Sequence, residues 1–179
     1  MLEIITDIDL AIQAGAYRAA LALALTIPDI CGHISSPNDN VGIRYRRWFD
    51  SWVKQYYPFG VITGDTCYKM RCAYLHSGNS GADESYIKTI DFYVHSDGNS
   101  FHDDMYEFEP SKNRKGGLDL IRVQINIAKL CAAMCAGARD YYNSVLEKSV
   151  FDPYSISILN DPTEDYPYLE NDSISVQIS

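Results

Sequence analysis

The chain has no apolar run near the roughly 18 residues that a membrane-spanning helix needs. Its longest apolar stretch, Ala19 to Ile27, is short, contains Thr26 and is followed by Pro28. The first ten residues, MLEIITDIDL, are acidic and lack the basic start of a secretory signal. No segment repeats another. Cysteine is sparse and odd in number: Cys31, Cys67, Cys72, Cys131 and Cys135. An odd count without a secretion signal argues for free thiols. Cys131 and Cys135 share a helical face at i, i+4, a spacing compatible with a metal, but no second pair of ligands lies nearby. Buried thiols are therefore the reading, and neither a metal nor a cofactor is expected. These absences together read as a soluble, cytoplasmic protein with no membrane partner.

Basic residues are missing from one end. Residues 151–179 carry six acidic side chains and no Lys or Arg. The whole chain has a formal charge of −9, which argues against a nucleic-acid partner. Without those six, 18 acidic face 15 basic side chains, a balance of −3. The body is nearly neutral and the acid sits in the tail.

What is present suits one domain of 179 residues, with 46% hydrophobic content for a core and 14 tyrosines. Residues 3 to about 33, rich in Ala and Leu, predict helix, with Thr6 or Asp7 as its cap. Gly15 either divides that helix or sits inside it, and Pro28 is expected to kink or end it. SSPNDN at 35–40 is a loop. VGIRYRRWFDSWVKQYY at 41–57 predicts a second helical block with an aromatic stripe beside a basic one. A helix from about Asp65 to His76 follows, capped by Thr63 or Asp65 and stopped by Gly78. Alternating Ile, Phe, Tyr and Val around Asp97-Gly98 predict a β-hairpin with strands near 86–95 and 100–108. Leu118 to about Glu147 reads as one long helix. The expected architecture is mainly α: a bundle of four to five helices over residues 1–150, a β-hairpin insert at about 84–110, and an acidic irregular tail at 151–179.

The chemistry concentrates in KMRCAYLHSGNS, residues 69–80, where Arg71 and His76 stand five positions apart. An imidazole titrating near pH 6.5 can take or give a proton at neutral pH. A guanidinium can hold two phosphate oxygens and stabilise charge on phosphorus. On an ideal helix five positions mean about 7.5 Å of rise and about 140° of rotation. The two side chains then do not face one point. Either His76 lies beyond the helix end, or the working group is assembled across a two-fold axis.

Arg71 and His76 with four residues between them, in the context YKMRCAYLHSG, resemble the motif of the HEPN (higher eukaryotes and prokaryotes nucleotide-binding) family. So does the order of an Ala/Leu-rich opening helix, an aromatic and basic block, the motif helix and a long final helix, over roughly residues 5–147. The resemblance implies a HEPN-like helical bundle that forms a homodimer. It implies metal-independent RNA cleavage, in which the ribose 2′-OH attacks the adjacent phosphate and leaves a cyclic phosphate. Arg71 would stabilise the transition state and His76 would be the general acid/base. Membership of a toxin or antiphage system, with an antitoxin protein as partner, is part of the same expectation. Cys72 departs from the pattern, since active members often have Asn, Asp or His there, and a thiol is a weak hydrogen-bond partner.

Around this pair, Arg46, Arg47 and Lys69 are the candidate RNA contacts, and Cys72, Tyr74 and Ser77 the candidate lining. Other readings stand beside these. Arg71 and His76 also suit a solvated cation and a helix-end histidine interacting with the helix dipole. Trp48 and Trp52 suit base stacking or, better, the core. The basic loop Lys112, Arg114, Lys115 suits plain solvation, and the turn histidines His95 and His102 suit a metal or, better, plain exposure. The acidic tail suits a solubilising end or a screen over a cationic cleft. A non-catalytic module that binds a nucleotide or a partner protein is the second functional reading, and a purely structural dimer the third.

Overall fold

Gly15 divides the opening segment into two helices. Its φ of 73° lies in the left-handed region that side chains disfavour and glycine adopts freely. On either side run α1 (Leu2–Gln13) and α2 (Tyr17–Ser35). The structure, a computed structural model, describes residues 1–57, 62–77, 89–94, 105–110 and 117–156. The side chains of residues 76, 77, 89, 105, 106 and 118–121 lie outside that description. Helix α1 starts at Leu2, earlier than a cap at Thr6 or Asp7 predicts. Thr6 is inside the helix, where its hydroxyl donates back to the Leu2 carbonyl at 3.1 Å. Pro28 does not end α2, which continues for seven more residues to Ser35.

The loop after α2 ends on Asn40, whose side chain accepts from the Gly42 amide at 2.9 Å and caps α3 (Val41–Trp52). A 3-10 turn at Lys54–Tyr56 follows. Helix α4 (Gly64–Ser77) takes two caps at its start. The Thr63 hydroxyl accepts from the Thr66 amide at 3.2 Å, and Asp50 of α3 accepts from the Gly64 amide at 2.8 Å. A side chain at Gly64 would place its Cβ 2.4 Å from the Arg46 carbonyl oxygen. The two helices thus meet at a point that only glycine permits.

The β region differs from the expected hairpin. Among the described residues there are three strands: β1 (Thr89–Tyr93), β2 (Met105–Pro110) and β3 (Leu118–Asn126). β1 and β2 do not pair with each other. β3 lies between them, parallel to β1 and antiparallel to β2. The proposed turn at Asp97-Gly98 lies outside the described residues, as do His95, His102, Lys112, Arg114, Lys115 and Gly78. The expected long helix from Leu118 is also corrected: its first nine residues are β3, and α5 (Ile127–Ser144) begins only after Asn126. Asn126 accepts from the Lys129 amide at 3.1 Å, a side-chain cap that switches the chain from strand to helix. Within β3, Val123 and Ile125 are buried while Arg122 is exposed, the two-residue alternation of a strand. Arg122 reaches Asp91 of β1 at 3.0 Å and Glu107 of β2 at 3.9 Å, clamping both edges to the centre.

The core lies where α2 meets α3, α4 and α5. Tyr45, Trp48 and Phe49 of α3 are buried with Leu21, Leu25 and Ile27 of α2 and Leu130 and Met134 of α5. Each such side chain contributes about 1.5–3 kcal/mol by leaving water. Trp48 and Trp52 both meet the Tyr141 ring edge-on, so both tryptophans are committed to packing, Trp52 from the periphery. Residues 148–154 form a second 3-10 stretch whose Phe151 is buried against Tyr141 and Tyr142. The acidic segment beyond residue 156 lies outside the described residues. The fold is mainly helical with a small three-stranded sheet. Among the described residues no helix is long and apolar enough to cross a membrane.

Gly64→Ala should destabilise the protein by at least about 2 kcal/mol, because backbone must move to admit the methyl group. The expected drop in melting temperature is about 4–8 °C. A thermal melt within a degree of wild type would refute the tight crossing.

Candidate functional site

Arg71 occupies the third turn of α4, where its neighbour is Asp29 of α2. Its Nε donates to Asp29 Oδ2 at 2.7 Å. Both side chains are about one-fifth exposed, so the pair is largely shielded from solvent. Burial works against the guanidinium's charge, but the hydrogen bond and charge of Asp29 outweigh it, with a smaller part from Cys72. The net effect holds Arg71 more firmly protonated than a free arginine. Asp29 therefore fixes the position of Arg71, whose charge is permanent in any case.

A second group sits on the face of α4 that meets α3. Asp65 accepts from Arg46 Nε at 2.8 Å and from Lys69 Nζ at 2.7 Å. Burial pushes the Asp65 carboxyl up, yet the hydrogen bonds from Lys69 and Arg46, with their charges, hold it below the usual carboxylate range. The Arg46 guanidinium also lies over the Tyr68 ring, 4.5 Å from its centre. Burial raises the Tyr68 phenol, and its contact with the Cys72 thiol raises it further, while the charges of Arg71 and Arg46 pull it down. Tyr68 is thus the point where the two cationic groups are felt together. Arg46, Lys69, Arg71 and Cys72 form one neighbourhood around it.

Arg47 does not join them. It pairs with Asp39 at 2.6 Å, in the loop between α2 and α3. Tyr74 faces the opposite end of α2, where its hydroxyl donates to the Arg18 carbonyl at 3.2 Å and its ring meets Phe92 edge-on. His76 and Ser77 close α4, and their side chains lie outside the described residues. Because α4 runs on to Ser77, His76 is on the helix and not beyond its end. The rotation of about 140° from Arg71 therefore applies.

Burial raises the thiols of Cys31, Cys67, Cys131 and Cys135 well above the ordinary range, Cys67 and Cys131 to about 12 and Cys135 to about 11. They are packing groups at neutral pH and not nucleophiles. Cys72 is the one cysteine with partial exposure. Among the described residues no group of three His, Cys, Asp or Glu is arranged to hold a metal ion.

Three of these residues escape a reading of the sequence as a search for cations and histidines. Asp65 stands four positions before Lys69, a spacing that predicts a helical ion pair. Tyr68 stands four before Cys72 on the same face. Asp29 has no local signal, since 42 residues separate it from Arg71. In chemical terms the neighbourhood offers fixed positive charge beside a phenol ring, suited to a phosphate and an adjoining planar group. Comparison with protein-family models, with curated proteins and with solved structures found no match.

The Asp29–Arg71 pair should show a coupling of about 1–3 kcal/mol in a double-mutant cycle built from Asp29→Asn and Arg71→Met. Urea melts reporting less than about 0.5 kcal/mol would make the pair incidental. Asp65 titrates lower in the folded chain than in the unfolded one. Its contribution is therefore complete above the ordinary carboxylate range and is lost as pH falls through the lowered value. Asp65→Asn should flatten the acid limb of the stability profile, measured by urea melts at neutral pH and at about pH 3. An acid limb as steep as that of wild type would contradict the assignment.

Proposed function

We propose that the protein is a HEPN-like, metal-independent endoribonuclease that works as a homodimer. The single observation that carries the reading is the bracing of Arg71. A carboxylate from another helix holds the motif arginine in a largely shielded position, beside Tyr68 and the Arg46–Asp65–Lys69 group. A guanidinium positioned before substrate arrives needs little rearrangement as negative charge grows on phosphorus.

In this reading His76 takes the proton of a ribose 2′-OH. The oxygen attacks the adjacent phosphorus, the bond to the 5′-oxygen breaks, and that oxygen leaves with a proton returned by an imidazolium. The products are a 2′,3′-cyclic phosphate and a 5′-OH end. Arg71 stabilises the phosphorane-like charge, Arg46 and Lys69 hold flanking phosphates in exchange for part of their bond to Asp65, and Arg47 is a more remote RNA contact. Cys72 and Ser77 line the site, while Tyr74 is turned to the opposite end of α2, away from it. The rotation between Arg71 and His76 on α4 favours a site shared by two copies, with each phosphate served by groups from both. A toxin-like role with an antitoxin partner belongs to the same proposal.

One observation favours the second reading, a non-catalytic module that binds a nucleotide or partner protein. The position after Arg71 is a thiol already engaged with Tyr68 and Arg71, where a polar helper would be expected.

Incubation with single-stranded and structured RNA in EDTA separates the two readings. Wild type should yield cyclic-phosphate ends. His76→Ala should cut at a rate lower by about 10²–10⁴, the usual share of general acid–base catalysis. Arg71→Ala should lose about 10²–10³, by analogy with removal of one preorganised charge-stabilising donor. A folded wild-type dimer that leaves every RNA intact would remove the nuclease and favour the binding module.

A further inference from the structure

Tyr74 belongs to a second feature of the molecule. A cavity of about 740 Å³ opens between the α1–α2 turn, β1 and the later turns of α4. Small-molecule sites occupy roughly 300–1,000 Å³, so the volume suits a compact organic ligand. Three aromatic side chains line it: Tyr17 at the start of α2, Tyr74 on α4 and Phe92 on β1. Arg18 and Asp91 are the charged residues of its lining.

The walls are prepared in advance. The Tyr74 hydroxyl is fixed on the Arg18 carbonyl at 3.2 Å, and its ring stands edge-on to Phe92 with centres 6.3 Å apart. Side chains ordered before binding spare a ligand the entropy of ordering them. The two charged groups are not equivalent. Asp91 is already matched by Arg122 at 3.0 Å. Arg18 is exposed and makes no ion pair among the described residues. The net offer is aromatic surface with one uncommitted positive charge at its edge. The aromatic walls suit a flat ring, and the Arg18 charge favours an anionic ligand over a cationic one.

We infer that this cavity takes the base of a ribonucleotide, with Arg18 as the counter-charge for its phosphate. The choice of a ribonucleotide among planar anions rests on the RNA reading above. Arg71 and Tyr74 are three positions apart on α4, hence neighbours on the helix surface. Their side chains nevertheless diverge, Arg71 to Asp29 and Tyr74 to Arg18, eleven residues or about 16 Å apart along α2. A base seated against Tyr74 would therefore belong to a nucleotide removed from the phosphate held at Arg71. The cavity then selects or orients RNA at a position away from the cut.

Calorimetric titration of the full chain with the four ribonucleoside 5′-monophosphates, and with ribose 5-phosphate as a baseless control, tests this directly. At least one mononucleotide should bind saturably. Ribose 5-phosphate should bind at least about fivefold more weakly, the lower end of what one stacked base contributes. Tyr17→Ala and Phe92→Leu should each weaken the mononucleotide by at least about fivefold. Phe92→Leu keeps an apolar side chain in β1, and thermal melts of both variants establish that the fold is retained. Absence of saturable binding at millimolar mononucleotide would overturn the inference. So would ribose 5-phosphate binding as tightly as the nucleotides, or two folded variants binding like wild type. Mononucleotide binding that depends on Tyr17 and Phe92, in a protein that cuts no RNA, would uphold the cavity and remove the nuclease. RNA cleavage without any mononucleotide binding would do the reverse.

Discussion

The three helices that carry the candidate site meet at one buried hydroxyl. Tyr45 of α3 is fully enclosed, and its phenol is pushed far above its ordinary range, first by burial and then by Cys67 and Asp29. A hydroxyl sealed away from water must find a partner or cost a few kcal/mol. Tyr45 finds its partners on both neighbouring helices: the Leu25 carbonyl of α2 at 3.2 Å and the Cys67 sulfur of α4 at 3.4 Å. Its ring also meets Tyr68 edge-on at 5.3 Å. The spacing of α2, α3 and α4 is therefore set by a polar requirement inside an apolar core. Asp29 and Arg71 lie just beyond it, close enough for both charges to act on the Tyr45 phenol.

This arrangement explains why the site is built on helices and not on the loops between them. Asp29 and Arg71 face each other because α2 and α4 are held at a distance fixed by Tyr45. Arg46 and Asp65 face each other because Gly64 lets α4 start against the α3 backbone. Asp50, one turn after Arg46, caps the same end of α4. Every cation of the Tyr68 neighbourhood thus has a carboxylate partner delivered by a neighbouring helix or turn. The cations are positioned at the cost of being partly neutralised, and a phosphate would have to compete with Asp65 for Arg46 and Lys69. Those pairs are substantially exposed, so their strength is modest and exchange with a ligand is inexpensive.

The sheet depends on a different constraint. Its central strand is followed directly by α5, and Asn126 is both the last residue of the strand and the cap of the helix. β1 pairs in parallel with β3, a pairing that joins residues 33 positions apart in Thr89 and Arg122. Parallel pairing needs a crossover, here filled by β2, which lies on the far side of β3. The outcome places Phe92 against Tyr74 of α4, and so turns the sheet edge into one wall of the cavity.

The helical segments were legible in the sequence because their causes are local. Ala and Leu over α2, the Thr63 cap of α4 and the conformational freedom of Gly15 all act within a few residues. The aromatic stripe of α3 likewise marks Tyr45, Trp48 and Phe49 for burial, although Ile43 is exposed. The Arg71 and His76 spacing is local in the same sense, and it marked the helix on which the charged neighbourhood is built. The strand at 118–126 was misread because Leu118, Ile121 and Ile125 also fit a helical face, and the chain does become helical immediately afterwards. Only pairing with two other strands decides between the periods, and pairing is a property of distant segments. The same holds for the site. Nothing near Asp29 signals Arg71, nothing near Arg46 signals Tyr68, and nothing in Tyr17 or Phe92 signals Tyr74. By itself the sequence determined that the helices up to α4 form and which residues bear charge. The tertiary structure alone decided which charges meet, because an ion pair across helices depends on how the core packs and not on the residues beside it in the chain.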